Sequence, residues 1–229
     1  MDERLDLIRR AYDAAARKYR DGVDPLGAVP QEFRESAAFR EFFREAALGH
    51  SHSNASADRA FLDPRAGMRF LDGGCSANLI AYRFDRWPCL YYGVDVSAEI
   101  IGAMLSFAAR ERIVVGALEV AELRALPFGA GFFDIASVVG VLAYFDLDYV
   151  ERALIELRRV LKDGARLVVD IANPAHPRVD TMFEFEAYLG MPLVAKSRAE
   201  FEAVLGGKFR IKAVDDSRVM LKYFVEAGP

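Results

Sequence analysis

The sequence predicts an α/β fold: a doubly wound, mostly parallel, seven-stranded sheet with an antiparallel C-terminal hairpin and an N-terminal helical lid. Three observations predict it. From Met68 apolar strand runs alternate with amphipathic helical stretches, the pattern of parallel strands joined by helical crossovers. Phe70-Leu71-Asp72-Gly73-Gly74-Cys75-Ser76-Ala77-Asn78 runs an apolar strand into an acid and a turn of small residues. The tail breaks the alternation, because 209–214 and 219–225 are joined only by a short turn containing Asp215-Asp216-Ser217 and must pair antiparallel.

In chain order, Leu5, Ile8, Tyr12, Ala15 and Tyr19 recur every three or four residues, so 3–20 is a helix with one apolar stripe, stopped by Gly22 and Pro25. A second helix over 31–47 carries Phe33, Phe39, Phe42 and Phe43, rings that need burial. Gly49 to Ser56 reads as a small polar loop. Its His50 and His52 have no other His or Cys at metal-ligand spacing, so no metal site is assigned. Strands are expected at 68–72, 90–95, 113–117, 133–139 and 165–171, with helices near 78–86, 98–110 and 148–161. Ser97 suits the cap of the second of these helices. Asp146 or Asp148 would cap the third, with Gly164 just beyond its end. A short helix capped by Ser197 precedes the hairpin. No internal repeat or low-complexity linker is present, so 1–229 reads as a single domain, with 1–60 as lid, 61–229 as core and an insertion at about 173–196.

Composition narrows the partners. Basic residues number 30 against 34 acidic, giving a net charge of −4 and no Lys/Arg block, which argues against nucleic acid. No apolar run reaches the roughly 18 residues of a membrane span. Two cysteines, Cys75 and Cys89, make no disulfide framework, and the N-terminus lacks a signal-peptide core. The expected setting is the reducing cytoplasm.

The turn after the first strand lets a ligand approach bare backbone. Tyr91-Tyr92-Gly93-Val94-Asp95 then ends a second strand on a carboxylate able to accept from a ribose diol, so the pair reads as half of a nucleoside site. A helix cap is the competing role for Asp95.

These residues resemble the first motifs of the class I S-adenosylmethionine (SAM)-dependent methyltransferases, a Rossmann-like family, in which the first strand leads into Asp-x-Gly-Cys-Gly/Ser-x-Gly. Asp72, Gly74, Cys75 and Ser76 fit; Asn78 stands where the family has glycine, and asparagine is the side chain that best tolerates positive φ. Val120 to Phe128 resembles the family's adenine segment, Phe132 to Gly140 its fourth strand, and Leu157 to Leu167 its Arg-Val-Leu-Lys-Pro-Gly-Gly-x-Leu run. Tyr12-Asp13-Ala14-Ala15-Ala16-Arg17-Lys18-Tyr19 resembles the lid-helix opening Tyr-Asp-x-x-Ala-x-x-Tyr. The resemblance covers about 68–171 well and the ends loosely.

It implies SAM as cofactor and S-adenosylhomocysteine (SAH) as product. The implied contacts are Tyr19 from the lid, Asp72 at the methionine end, and Gly73, Gly74, Cys75, Ser76 and Asn78 in the turn. Asp95 and Val96 would lie at the ribose, Glu122 and Leu123 at adenine, and Val139 and Gly140 at the fourth strand's end. Tyr19 and Glu122 read equally as ordinary packing and surface residues. Methyl transfer is mainly alignment and exclusion of water, with a base needed only for an acceptor that holds its proton. His176, after the fifth strand, and Tyr144, after the fourth, are the base candidates. Thr181 to Met191, rich in Met and aromatics, would shape a pocket for a small apolar or aromatic acceptor, or else a subunit interface; monomer and homodimer stay open. A non-catalytic SAM-fold binding or scaffold protein is the alternative. A nicotinamide oxidoreductase is disfavoured, because 73–78 does not give Gly-x-Gly-x-x-Gly.

Overall fold

The computed structural model describes residues 2–49 and 52–228. Four helices precede the sheet: α1 (Glu3–Arg20), α2 (Gln31–Arg34), α3 (Ala37–Gly49) and α4 (His52–Leu62). Asp2 caps α1 by accepting from the Arg4 and Leu5 amides, both at 3.2 Å. The predicted helix over 31–47 is thus two. α2 ends at Glu35, and Ser36 restarts the chain by accepting the Phe39 amide at 3.0 Å. The predicted polar loop over 49–56 is also corrected, since most of it is the first turn and a half of α4. His50 lies outside the described residues, and of His52 only its place as the first residue of α4 is described.

Strands and helices then alternate: β1 (Arg69–Gly73), α5 (Asn78–Tyr82), β2 (Leu90–Asp95), α6 (Ala98–Glu111), β3 (Ala117–Val120), β4 (Phe133–Val138), α7 (Leu147–Val160) and β5 (Leu161–Ala172). α8 (Val179–Tyr188) and α9 (Arg198–Gly206) lead to β6 (Phe209–Asp215) and β7 (Met220–Ala227). The seven-stranded sheet has the order β3-β2-β1-β4-β5-β7-β6. β7 pairs antiparallel with both β5 and β6, and the other pairings are parallel. The order reverses between β1 and β4, so their carboxyl ends diverge into the crevice where open α/β sheets bind ligands.

The third strand is displaced from its predicted position, 113–117. Ladder pairing starts at Tyr92↔Ala117, because Gly116 lies flat on the Tyr92 ring. A Cβ at Gly116 would stand 2.1 Å from Tyr92 Cζ. That ring is buried and held edge-on by Phe128, Phe132 and Phe133 at 5.3–5.9 Å between centroids, so it has nowhere to move. Gly116→Ala is expected to cost about 2–3 kcal/mol by overpacking. For a chain of this size that lowers the thermal midpoint by roughly 4–12 °C. An unchanged melting curve would show that Tyr92 is not fixed as described.

Asp146, not Asp148, caps α7, accepting the Tyr149 amide at 2.9 Å. Gly164 does not simply end that helix. β5 begins at Leu161, paired to Phe133, and Gly164 turns within it at φ +74°. The main core lies where α7 and α9 pack on one sheet face through Leu154, Leu157, Phe201 and Leu205. The other face buries Phe70, Phe84, Trp87, Tyr91 and Met104. A third cluster joins α3 to α8 and the start of β7 through Phe39, Phe42, Met182 and Val219. No helix among the described residues is long and apolar enough to cross a membrane.

Candidate active site

One cavity of about 540 Å³ opens at the carboxyl ends of β1, β2, β4 and β5, under α1, α3 and α8. Its two halves differ in chemistry.

The first half is built from the turns after β1, β2, β3 and β4. Gly74 (φ +68°) and Ser76 (φ +40°) carry the left-handed backbone of the first turn. A Cβ on Gly74 would meet Val141 Cγ2 at 2.3 Å, so only glycine lets this turn close on the loop after β4. Asn78 needs no positive φ, in contrast to the expectation for that position. It is the first residue of α5, and its amide faces Asp72 at 3.2 and 3.3 Å.

Asp95 is buried at the end of β2. Its Oδ2 accepts the Ser76 amide and its Oδ1 the Ser97 amide, each at 2.9 Å. The Val96 amide also bears on the carboxylate, which lines the cavity and keeps acceptor capacity of the kind that ribose hydroxyls require. Burial raises its pKa against the pull of these amides. Capping of α6 falls to Ser97, whose Oγ accepts the Ile100 amide at 3.2 Å. The same hydroxyl donates to Asp13 of α1 at 2.6 Å, which pins the lid helix beside the acid. Val96, Ala121, Leu123, Val139 and Gly140 complete this half. At Gly140 (φ +74°) an added Cβ would meet nothing within 4 Å, so bare backbone faces open space.

The second half is apolar with a few buried ionisable groups. Phe42 and Phe43 of α3, Met182 and Phe185 of α8, and Leu193 form its walls. Tyr12 of α1 donates to the Tyr144 hydroxyl at 3.2 Å, and Tyr144 donates to Glu186 Oε2 at 3.1 Å. Burial holds the Tyr144 phenol far above its usual range. Burial likewise lifts Glu186 to about 7. Asp170, at the end of β5, accepts the Gly140 amide at 2.7 Å and is also pushed by burial to about 7. Beside it Lys222, its cross-strand neighbour on β7, binds both oxygens of Asp58 at 3.0 Å.

Of the residues singled out from sequence, Gly74, Ser76, Asn78, Asp95, Val96, Leu123, Val139, Gly140 and Tyr144 line the cavity. The others stand outside its lining. Asp72 is buried under the turn, bonded to the Tyr91 hydroxyl at 2.8 Å and to Asn78, and burial raises it to about 7. Gly73 and Cys75 lie behind the turn, with the Gly73 Cα packed on Leu123 and Val138 and Cys75 fully buried. Glu122 pairs with Arg124 at 2.8 Å and borders a separate, shallower recess with Asp2 and Arg9. Tyr19 is 82% exposed, because it lies a full seven residues past Tyr12, near the free end of α1. His176 closes a turn after β5, its Nδ1 accepting the Arg178 amide at 3.2 Å.

Asp58, Asp170 and Lys222 were not anticipated, and Tyr12 and Glu186 were expected only as parts of the lid helix and of the stretch shaping the acceptor pocket. They come from five separate elements, and no local spacing groups them. No cluster of three or more His, Cys, Asp or Glu suited to a metal occurs among the described residues.

Sheet order, antiparallel hairpin, glycine turn and buried acid at the end of β2 agree with the resemblance to the class I SAM-dependent methyltransferases. Residues 71–169, under half of the chain, match the family model of the methyltransferase domain. SAM is the cofactor of the class, and the first half of the cavity fits it, with acceptors at Asp95, an apolar slot at Ala121 and Leu123, and open backbone at Gly140. An uncharacterized methyltransferase of Bacillus subtilis (strain 168), YcgJ, is 32% identical over 117 residues, 51% of this chain and 46% of that protein. The match therefore spans under half of that relative. Among solved structures, geranyl diphosphate C-methyltransferase from Streptomyces coelicolor A3(2), in complex with Mg2+, geranyl diphosphate and SAH, superposes with TM-score 0.70. It is 17% identical, and the alignment covers 98% of each chain. The [4+2]-cyclase SpnF has TM-score 0.62 at 17% identity, covering 77% of this chain and 80% of its own. At these identities the likeness is one of fold, and that fold carries more than one chemistry.

Proposed function

We propose that the protein transfers the methyl group of SAM to a small, apolar or aromatic, uncharged molecule. The observation that carries this reading is the continuity of one cavity from the Asp95 carboxylate to the Phe42, Phe185 and Met182 walls. SAM supplies an activated methyl on a sulfonium. Asp95 would hold its ribose, Ala121 and Leu123 its adenine, and the turn at Gly74 and Ser76 its amino-acid end. The lid contributes alignment and a dry site, the two effects that matter most for an in-line displacement.

The uncharged character rests on the ionisable lining. Asp58, Asp170, Glu186 and Asp215 face the second half, against Arg218 and Lys222. The Lys222 ammonium is already bound to Asp58. In this lining the acids outnumber the cations, so bringing in a diphosphate would add like-charge repulsion in a low dielectric.

The test is calorimetric titration with SAM and SAH, followed by labelled SAM with a panel of neutral acceptors. Micromolar binding of both nucleosides and labelled product from a neutral acceptor are expected. With SAH bound, geraniol should bind at least about tenfold tighter than geranyl diphosphate, a difference of roughly 1.4 kcal/mol. The reverse order would refute the uncharged pocket. Absence of SAM binding in folded protein would refute the transferase reading.

A further inference from the structure

The reading above leaves open how an acceptor would lose its proton, and the cavity contains a group placed for that task. α8 turns Met182, Phe185 and Glu186 toward the cavity, positions spaced three and four apart and so on one helix face. A carboxylate on an otherwise apolar wall is costly unless it is satisfied. Here only half of it is. Oε2 takes the Tyr144 hydroxyl, and among the described residues Oε1 accepts from nothing.

Tyr144 is held from both sides. Tyr12 donates to its hydroxyl, and Arg4 of α1 donates to the backbone carbonyls of Tyr144 and Pro192. The donors run in one direction, Tyr12 to Tyr144 to Glu186, so the chain ends on a carboxylate whose other oxygen faces the cavity. The geometry points to Glu186 as the general base for a hydroxyl-bearing aromatic acceptor, a phenol, with Tyr144 as its positioning residue. This rests on the proposed transferase function.

The step balances without further reagents. The phenol O–H proton passes to Glu186 Oε1. The phenol oxygen forms a bond to the SAM methyl carbon, and the carbon–sulfur bond breaks with its electron pair going to sulfur. The products are an aryl methyl ether, SAH and a protonated Glu186 that returns its proton to solvent. Tyr144 is unsuited to be the base itself, because burial and the adjacent carboxylate keep its phenol protonated. The groups packed against Glu186 are Tyr144 after β4 and Tyr12 on α1. On the α3 side Glu41 is engaged with Arg178 at 3.0 Å. Burial lifts Glu186 and the Tyr144 bond lowers it, so it is the ionised base above about pH 7.

The experiment uses the full chain at pH 8 with phenol and 4-nitrophenol, the latter largely ionised at that pH without help. With wild type, methylation of phenol should rise through about pH 7, and phenol should bind SAH-loaded protein more tightly at pH 8 than at pH 6. Glu186→Gln should lower phenol kcat by about 100-fold or more, the usual scale of general-base catalysis. It should cost 4-nitrophenol less than about tenfold, flatten the pH dependence of phenol binding and leave the Kd for SAM unchanged. Tyr144→Phe should move the midpoint of the pH profile upward and recover activity at high pH, since the bond it removes favours the carboxylate. Equal losses on both phenols would overturn the proposal. So would a wild-type protein that binds SAM yet neither binds nor methylates phenol. A wild type that fails to bind SAM would instead sink the transferase reading beneath it.

Discussion

Asp95→Ala is expected to raise the Kd for SAM by roughly 100-fold or more while the sheet still folds. The acid sits at the end of β2, lines the cavity and has each oxygen held by a backbone amide. Two hydroxyls of the bound nucleoside would each lose a charge-assisted bond of about 1.5–3 kcal/mol. The Ser76 and Ser97 amides would lose their acceptor too, which loosens the first turn and the start of α6. Ser97→Ala separates the two effects. It removes the α6 cap and the Asp13 tether but leaves the carboxylate, so its loss of affinity should be about tenfold or less. Calorimetry with SAM and SAH, alongside near-ultraviolet circular dichroism, checks both. A Kd within threefold of wild type for folded Asp95→Ala would mean that the ribose is held elsewhere.

The second large effect concerns stability against pH. Burial raises Asp72 to about 7, although the Tyr91 hydroxyl and the Asn78 amide both favour its charged form. An ordinary unfolded aspartate titrates near 4, so across that window the folded state binds the extra proton. Since stability falls with pH wherever the folded state holds more protons, this contribution is complete below about pH 4 and is lost as pH rises through about 7. A rise from near 4 to about 7 corresponds to roughly 4 kcal/mol. Asp170, lifted to about 7 by burial beside Gly140, acts in the same direction. The ligand-free protein should therefore melt lower at pH 8 than at pH 5.5.

Asp72→Asn removes the charge and keeps the shape, and the Tyr91 hydroxyl can turn to accept from the new amide. At about pH 4 its melting point should be near that of wild type. At pH 8 it should be higher, by on the order of 10 °C. Equal melting points at pH 8 would show that water reaches Asp72 and the acid is not desolvated as described. The same comparison bears on the site. Asp72 reaches the cavity only through Asn78, so its substitution tests whether the methionine end of SAM depends on that amide.

Much of this architecture is local information. The alternation from Met68 onward, the short turn in the hairpin and the acids ending two apolar strands are written in residues that are neighbours in the chain. So the sheet, its topology and the nucleoside half of the cavity were legible. Asp95, Ser76, Leu123 and Gly140 face one space because strand ends in a parallel sheet must converge there. Ser97 and Asp146 cap their helices through bonds spanning three residues. The misreadings arose where packing overrode local pattern. β3 starts late because Gly116 is pressed on a Tyr92 ring from another strand. Asn78 escapes the strained backbone because Gly74 and Ser76 already take it.

The acceptor half was legible only in outline, as the phenylalanine helix, Tyr144 and the stretch 181–191, and the reason is distance along the chain. Tyr12, Tyr144 and Glu186 meet from positions 132 and 42 residues apart, and Lys222 meets Asp58 across 164. None of these pairings can be read within a single segment. Sequence by itself determined the class of fold and which strand-end residues border one cavity, because both follow from strand ends and turns. Only the tertiary structure decided which side chains share the acceptor pocket and how far burial moves their protons, because desolvation and hydrogen bonding depend on neighbours the chain brings from far away.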